Sequence, residues 1–308
     1  MTRLKTQAAK ESLLRRVRKQ RLKYITILPS LITILNGVCG FTAIVLASKG
    51  AAAGVNEFYY HELQLPYFAM AGYMVLFAMI ADMLDGRLAR MSQSTSSFGG
   101  QLDSLCDIIS FGVAPAFLML KVLEYKLAGF AELNTTIESF LHRFFWLAAA
   151  AYISCAAIRL ARFNVENEED ESAHMSFIGL PTPAAAGVIV SLIIFHQETL
   201  AELSAKNSQA YLVCENAIIY ALPFLVLGLA AVMVSRIRYP HILNQYIKGK
   251  KPFAHLIRVL LFLGLIIWSR QVALVLIFCG FAASGVVKWL YYKITRKRNP
   301  LLQTPVLQ

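Results

Sequence analysis

The run 81-ADMLDGRLARMSQSTSSFGGQLDSLCDIISFG-112 decides how the chain reads. Apolar residues lead into Asp82 and Asp85. A polar Ser, Thr and Gln stretch follows, and after Gly99, Asp103 and Asp107 the sequence turns apolar again. Asp82 and Asp85 stand three residues apart, Asp103 and Asp107 four, so on helices each pair shares a face. The short link between the two helices makes them antiparallel, and the acidic faces can meet. An unpaired carboxylate costs about 2.5–3.5 kcal/mol at the bilayer centre and less near an end, and four of them repel one another. Divalent cations would remove both penalties. All-oxygen ligands favour magnesium, manganese or calcium over zinc or copper. Two ions clamping a phosphoryl group is a recurring use of such a site. The alternative is that these Asp pair with Arg87, Arg90, Arg159 and Arg162 and merely hold helices together.

The rest of the chain places this stretch in a membrane. Of 308 residues, 57% are hydrophobic and 16% charged, where a soluble domain carries about 25% charged residues. The apolar runs predict an all-α polytopic protein with eight helices, at about 26–48, 66–90, 98–122, 144–163, 180–197, 216–235, 254–269 and 271–292. The divisions that follow are a basic arm (1–25), a membrane core (26–235), a basic loop with two further helices (236–292) and a basic tail (293–308). The first 23 residues hold nine Lys or Arg and one Glu without an apolar core. They read as an arm on the cytoplasmic membrane surface rather than a signal peptide or a nucleic-acid-binding segment. With the N-terminus inside and strict alternation, 24 basic residues fall on the cytoplasmic side and six opposite. That bias puts both termini and the four Asp on the cytoplasmic side. Five scattered cysteines and six unpaired histidines offer no zinc spacing. An Asp-lined cation transporter is the rival from another class, but the acids cluster at one face and no repeat is visible.

Asp82-x-x-Asp85-Gly86-x-x-Ala89-Arg90, eight residues, then Gly99-x-x-x-Asp103-x-x-x-Asp107 resembles the signature of the CDP-alcohol phosphotransferases at every fixed position. Four further stretches resemble the phosphatidylserine synthase branch: Leu35 to Phe41, Ser110 to Ala116, Arg159 to Asn164 and Gly179 to Ala186. The resemblance implies an integral membrane enzyme with a six-helix core, extended here by two C-terminal helices. It implies transfer from CDP-diacylglycerol to L-serine with release of CMP, magnesium or manganese as cofactor in two ions, membrane lipids as surroundings, and a homodimer in a prokaryotic plasma membrane. Other acceptors remain: glycerol 3-phosphate, inositol phosphate or choline.

By the same resemblance, Asp82, Asp85, Asp103 and Asp107 hold the two metal ions; Asp107 is also the catalytic base, and Asp82, Asp85 and Asp103 are mainly ligands. Asp82, Gly86, Ala89, Arg90 and Gly99 line the nucleotide diphosphate, with an Asp partner as the other role for Arg90. Arg159 and Arg162 suit an acceptor carboxylate or a lipid phosphate, or they snorkel to headgroups. Asn164 is a further polar candidate. Asn36, inside the first helix, makes either a helix–helix hydrogen bond or a substrate contact.

Overall fold

The computed structural model describes residues 29–52, 59–60, 65–92, 97–128, 135–169, 177–204, 208–239 and 269–298. The helices are α1 (Pro29–Ala52), α2 (Tyr67–Ser92), α3 (Ser97–Asp107), α4 (Ala114–Ala128), α5 (Thr135–Glu169), α6 (Thr182–Ser204), α7 (Ser208–Val234) and α8 (Arg270–Arg298). A π-helical segment, Ile108–Val113, joins α3 to α4, so the two form one span. Among the described residues the β structure is two antiparallel ladders of two residues per strand: β1 (Tyr59–Tyr60) with β2 (Leu65–Pro66), and β3 (Phe177–Ile178) with β4 (Arg238–Tyr239). The basic arm, the loop around Lys248 to Lys251 and most of the seventh predicted helix (254–269) lie outside the described residues.

Among the described residues, six helices are long and apolar enough to cross a membrane: α1, α2, the α3–α4 span, α5, α7 and α8. Their outward faces carry Leu31, Ile34, Val38 and Phe41 on α1, Phe224 on α7, and Leu276 and Val287 on α8. Such faces would be a liability in water and are expected against lipid. Helix α6 lies at the centre instead, packed on α2, α7 and α8, with Ala185, Ala186, Ile189, Val190 and Ile194 fully buried. Small residues let the helices close on it. A side chain at Gly187 would run into the Phe278 ring of α8, and one at Gly72 into Ile194.

Two departures from the predicted boundaries have local causes. Helix α5 extends well beyond 144–163 at both ends. Past its apolar stretch the helix continues through Glu166 to Glu169, because Glu prolongs a helix without making it apolar. The π segment follows from Pro115. Without an N–H, proline leaves the carbonyl four residues earlier unpaired, and the Tyr152 hydroxyl of α5 donates to that Phe111 carbonyl at 3.1 Å. The ladder shifts accordingly, with the Ala114 N–H bonded to the Ile109 carbonyl.

The start of α6 is fixed by Gly179, whose φ is +80°. Its N–H donates to the Ile237 carbonyl at 2.8 Å. A side chain there would strike the Met233 carbonyl, so this close turn requires glycine. Pro183 occupies the first turn of α6, where a missing N–H costs nothing.

At the end remote from the four Asp, the polar tail of α6 is clamped. Glu198 accepts from Tyr73 of α2 (3.1 Å), Gln271 (2.5 Å) and Arg270 (3.4 Å) of α8. Lys126 of α4 pairs with Glu215 of α7, and His196 lies 3.7 Å from the same carboxylate. Glu198→Ala would leave Tyr73 and Gln271 short of a partner while the exposed Arg270 stays solvated, and hydrogen bonds to charged groups contribute about 1.5–3 kcal/mol each. The variant should lower the thermal midpoint in detergent by several degrees, and an unchanged midpoint would show that the clamp contributes nothing.

Candidate active site

Helix α2 brings Asp82 and Asp85 to its last turns, and α3 brings Asp103 and Asp107 alongside. Asp82, Asp85 and Asp103 offer carboxylate oxygens that all lie within 4.8 Å of one another. Asp85 is 4% exposed, and Asp82 and Asp103 are half-buried. Among the described residues no ion pair joins any of the four Asp to an Arg or Lys. Asp85 Oδ2 and Asp103 Oδ1 are buried without a hydrogen-bond partner there. The alternative of four structural Asp–Arg pairs therefore has no support among the described residues. Three converging carboxylates with orphaned oxygens fit a hard divalent cation, magnesium or manganese, held by oxygen alone.

Asp107 stands apart from that group of three. It is 7% exposed and accepts a 2.9 Å hydrogen bond at Oδ1 from the Asn36 amide of α1. Of the two roles open to Asn36, the helix–helix hydrogen bond is the one observed. Helix α1 also supplies Thr33, whose hydroxyl lies beside the Asp85 carboxylate.

The glycines differ. A side chain built at Gly86 meets nothing within 4 Å, and the same holds at Gly100. Gly86 thus borders open space next to Asp85, as a ligand-facing glycine should. Gly99 is half-buried in the first turn of α3. Ala89 and Arg90 occupy the last turns of α2, but their side chains lie outside the described residues, as does the Ser94 to Ser96 run.

The acceptor candidates sit on α5. Arg159 is buried and donates to the Thr182 hydroxyl of α6 at 2.9 Å. Arg162 reaches the Val234 carbonyl of α7 at 3.5 Å, and Asn164 donates to the Ser104 hydroxyl of α3 at 2.8 Å. Ser104 lies one residue past Asp103, so α5 reaches the acidic helix directly. Arg159 points inward to α6 rather than snorkelling, because Thr182 gives it a buried partner. Sequence reasoning did not single out Thr33, Ser104 or Thr182. Their small hydroxyls carry no pattern of their own, and only the packing of α1, α5 and α6 reveals them.

Residues 26–227 match the CDP-alcohol phosphatidyltransferase family. The chain belongs to that family. It is an integral membrane transferase, similar to several proteins named CDP-diacylglycerol–serine O-phosphatidyltransferase. The one from Helicobacter pylori (strain 26695) is 32% identical over 261 residues, covering 84% of this chain and 95% of the relative. The Bacillus subtilis (strain 168) protein is 29% identical over 214 residues, covering 70% and 90%. The Saccharomyces cerevisiae protein is 35% identical over 166 residues, covering 52% and 51%.

The uncompensated carboxylates yield a stability test. In metal-free protein, Asp103→Asn removes one charge from a repelling group and should leave the thermal midpoint equal to or above wild type. Manganese at a hundred times its Kd should stabilise wild type by about 2.7 kcal/mol and leave Asp103→Asn unmoved. Equal stabilisation of both would show that the cation binds elsewhere.

Proposed function

We propose that this transferase makes phosphatidylserine and CMP from CDP-diacylglycerol and L-serine. The convergence of Asp82, Asp85 and Asp103 beside Asp107, on the spacing of the family signature, carries the reading. The acceptor is inferred from relatives named for serine, two of which are covered over nine-tenths or more of their length. The donor's acyl chains remain in the bilayer while its cytidine diphosphate enters beside Gly86, where a side chain would meet nothing within 4 Å. Asp82, Asp85 and Asp103 would hold two divalent ions. When bound, such ions neutralise charge on the diphosphate and on the departing CMP.

Asp107 takes the proton from the serine hydroxyl. The freed oxygen attacks the phosphorus that bears the diacylglycerol. The new P–O bond forms as the bond to the CMP oxygen breaks, and CMP departs as a phosphate monoester. No cysteine or serine is needed as a covalent nucleophile. Ala89 and Arg90, on signature positions, would border the nucleotide and its diphosphate with Gly99. Arg159, Arg162 and Asn164 would recognise the serine carboxylate near α3. Eight spans with both termini and the site on the cytoplasmic side, and a homodimer, complete the proposal. The 24-to-6 distribution of basic residues supports this orientation.

Purified protein given CDP-diacylglycerol, manganese or magnesium and each candidate alcohol should release CMP with L-serine. Release only with glycerol 3-phosphate, inositol phosphate or choline would overturn the choice of acceptor. Asp107→Asn should lower turnover by about 100- to 10,000-fold while the protein remains folded. Undiminished CMP release would refute the role given to Asp107.

A further inference from the structure

Helix α1 contacts the acidic helix through a narrow, specific surface. Asn36 is fully buried. Its Nδ2 donates to Asp107 Oδ1 at 2.9 Å, while its own main-chain carbonyl accepts from the Ser110 hydroxyl at 2.8 Å. One residue thus receives a hydrogen bond through its backbone from the π segment and gives one through its side chain to Asp107. The two helices meet at close range because Gly37 and Gly40 lack side chains. A Cβ at Gly37 would lie 3.0 Å from Cys106 Sγ, and at Gly40 it would overlap Ser110. Ser110 belongs to the π segment that starts immediately after Asp107, and Tyr152 holds the next carbonyl, that of Phe111. Asp107 is therefore fixed from two sides, by the backbone behind it and by Asn36 across the interface.

The remaining half of the Asn36 amide tells against a packing role. Asn36 Oδ1 is buried without a hydrogen-bond partner among the described residues. A half-satisfied buried amide is costly, and an apolar residue of the same shape avoids that cost.

We propose that Asn36 is a positioning residue for Asp107: its amide holds Oδ1, so that Oδ2 is presented to the proton of the acceptor hydroxyl. Proton transfer needs the base within hydrogen-bond reach in a defined direction. A carboxylate free to rotate loses that alignment, and a misplacement near 1 Å costs about 100-fold in rate. The donor's affinity is assigned to Asp82, Asp85, Asp103 and the space beside Gly86, and among the described residues no hydrogen bond joins Asn36 to any of these. This inference rests on Asp107 acting as the base.

The test uses the full-length purified protein with whichever alcohol supports CMP release. Asn36→Leu removes the donor and keeps the volume, and Asn36→Ser removes its reach without adding apolar bulk. Both should lower kcat about 100-fold, with KM for CDP-diacylglycerol and for the acceptor within about threefold of wild type. Wild-type kcat in Asn36→Ser would overturn the proposal, since any loss in Asn36→Leu would then be steric. A rise in KM that accounts for the whole loss would also overturn it, by making Asn36 a substrate contact. Loss of the monodisperse, cooperatively melting protein in both variants would assign Asn36 a structural role and overturn it too. Asp107→Asn separates the two readings. Activity retained there refutes the base itself, whereas activity lost there but kept in the Asn36 variants refutes only the positioning.

Discussion

Three carboxylates converge at one end of an apolar helical bundle, with buried oxygens that nothing among the described residues satisfies. Charge repulsion and desolvation both oppose that arrangement, so the surrounding structure must enforce it. The α2–α3 pairing sets Asp82 and Asp85 against Asp103, and α1 and α5 brace α3 from its sides through Asn36, Ser110 and Asn164. At the far end the bundle is tied by Glu198 and by the Lys126–Glu215 pair. Polar contacts are thus concentrated at the two ends, with a packed core of Ala, Ile, Val and Phe between them.

That division fits a lipid-modifying transferase. The middle needs only packing, and small residues in α6 let its neighbours approach closely. The acidic end, proposed to hold ions and a base, needs fixed distances, since such groups act only from defined positions. The π segment lies at the junction of these two demands. Pro115 breaks the regular ladder just past Asp107, and Tyr152 takes up the carbonyl set free. The irregularity lies beside the acidic cluster, and π-helical turns are frequent at functional sites.

Much of this was legible in the sequence because helical periodicity is local. The spacing of Asp82, Asp85, Asp103 and Asp107 dictates which faces meet, and the apolar runs dictate the helices that carry them. Gly86 beside open space follows from its place next to Asp85. What could not be read depends on partners distant in the chain. Asn36 meets Asp107 from 71 residues away, and Tyr152 meets Phe111 from 41. The end of α6 carries His196, Gln197 and Glu198, which lower its hydropathy and belong to a clamp built from α2, α7 and α8. Helix α5 outruns its apolar stretch because its ends are polar but still favour helix.

The proposed mechanism requires the Asp cluster to hold a divalent ion against the diphosphate of the donor. Electron–nuclear double resonance on manganese-loaded protein with CDP-diacylglycerol tests it most directly. A phosphorus hyperfine coupling to the bound manganese is expected in wild type, appearing only when the donor is added and absent in Asp103→Asn. Tightly bound manganese with no coupling to donor phosphorus, or the same coupling in Asp103→Asn, would contradict it.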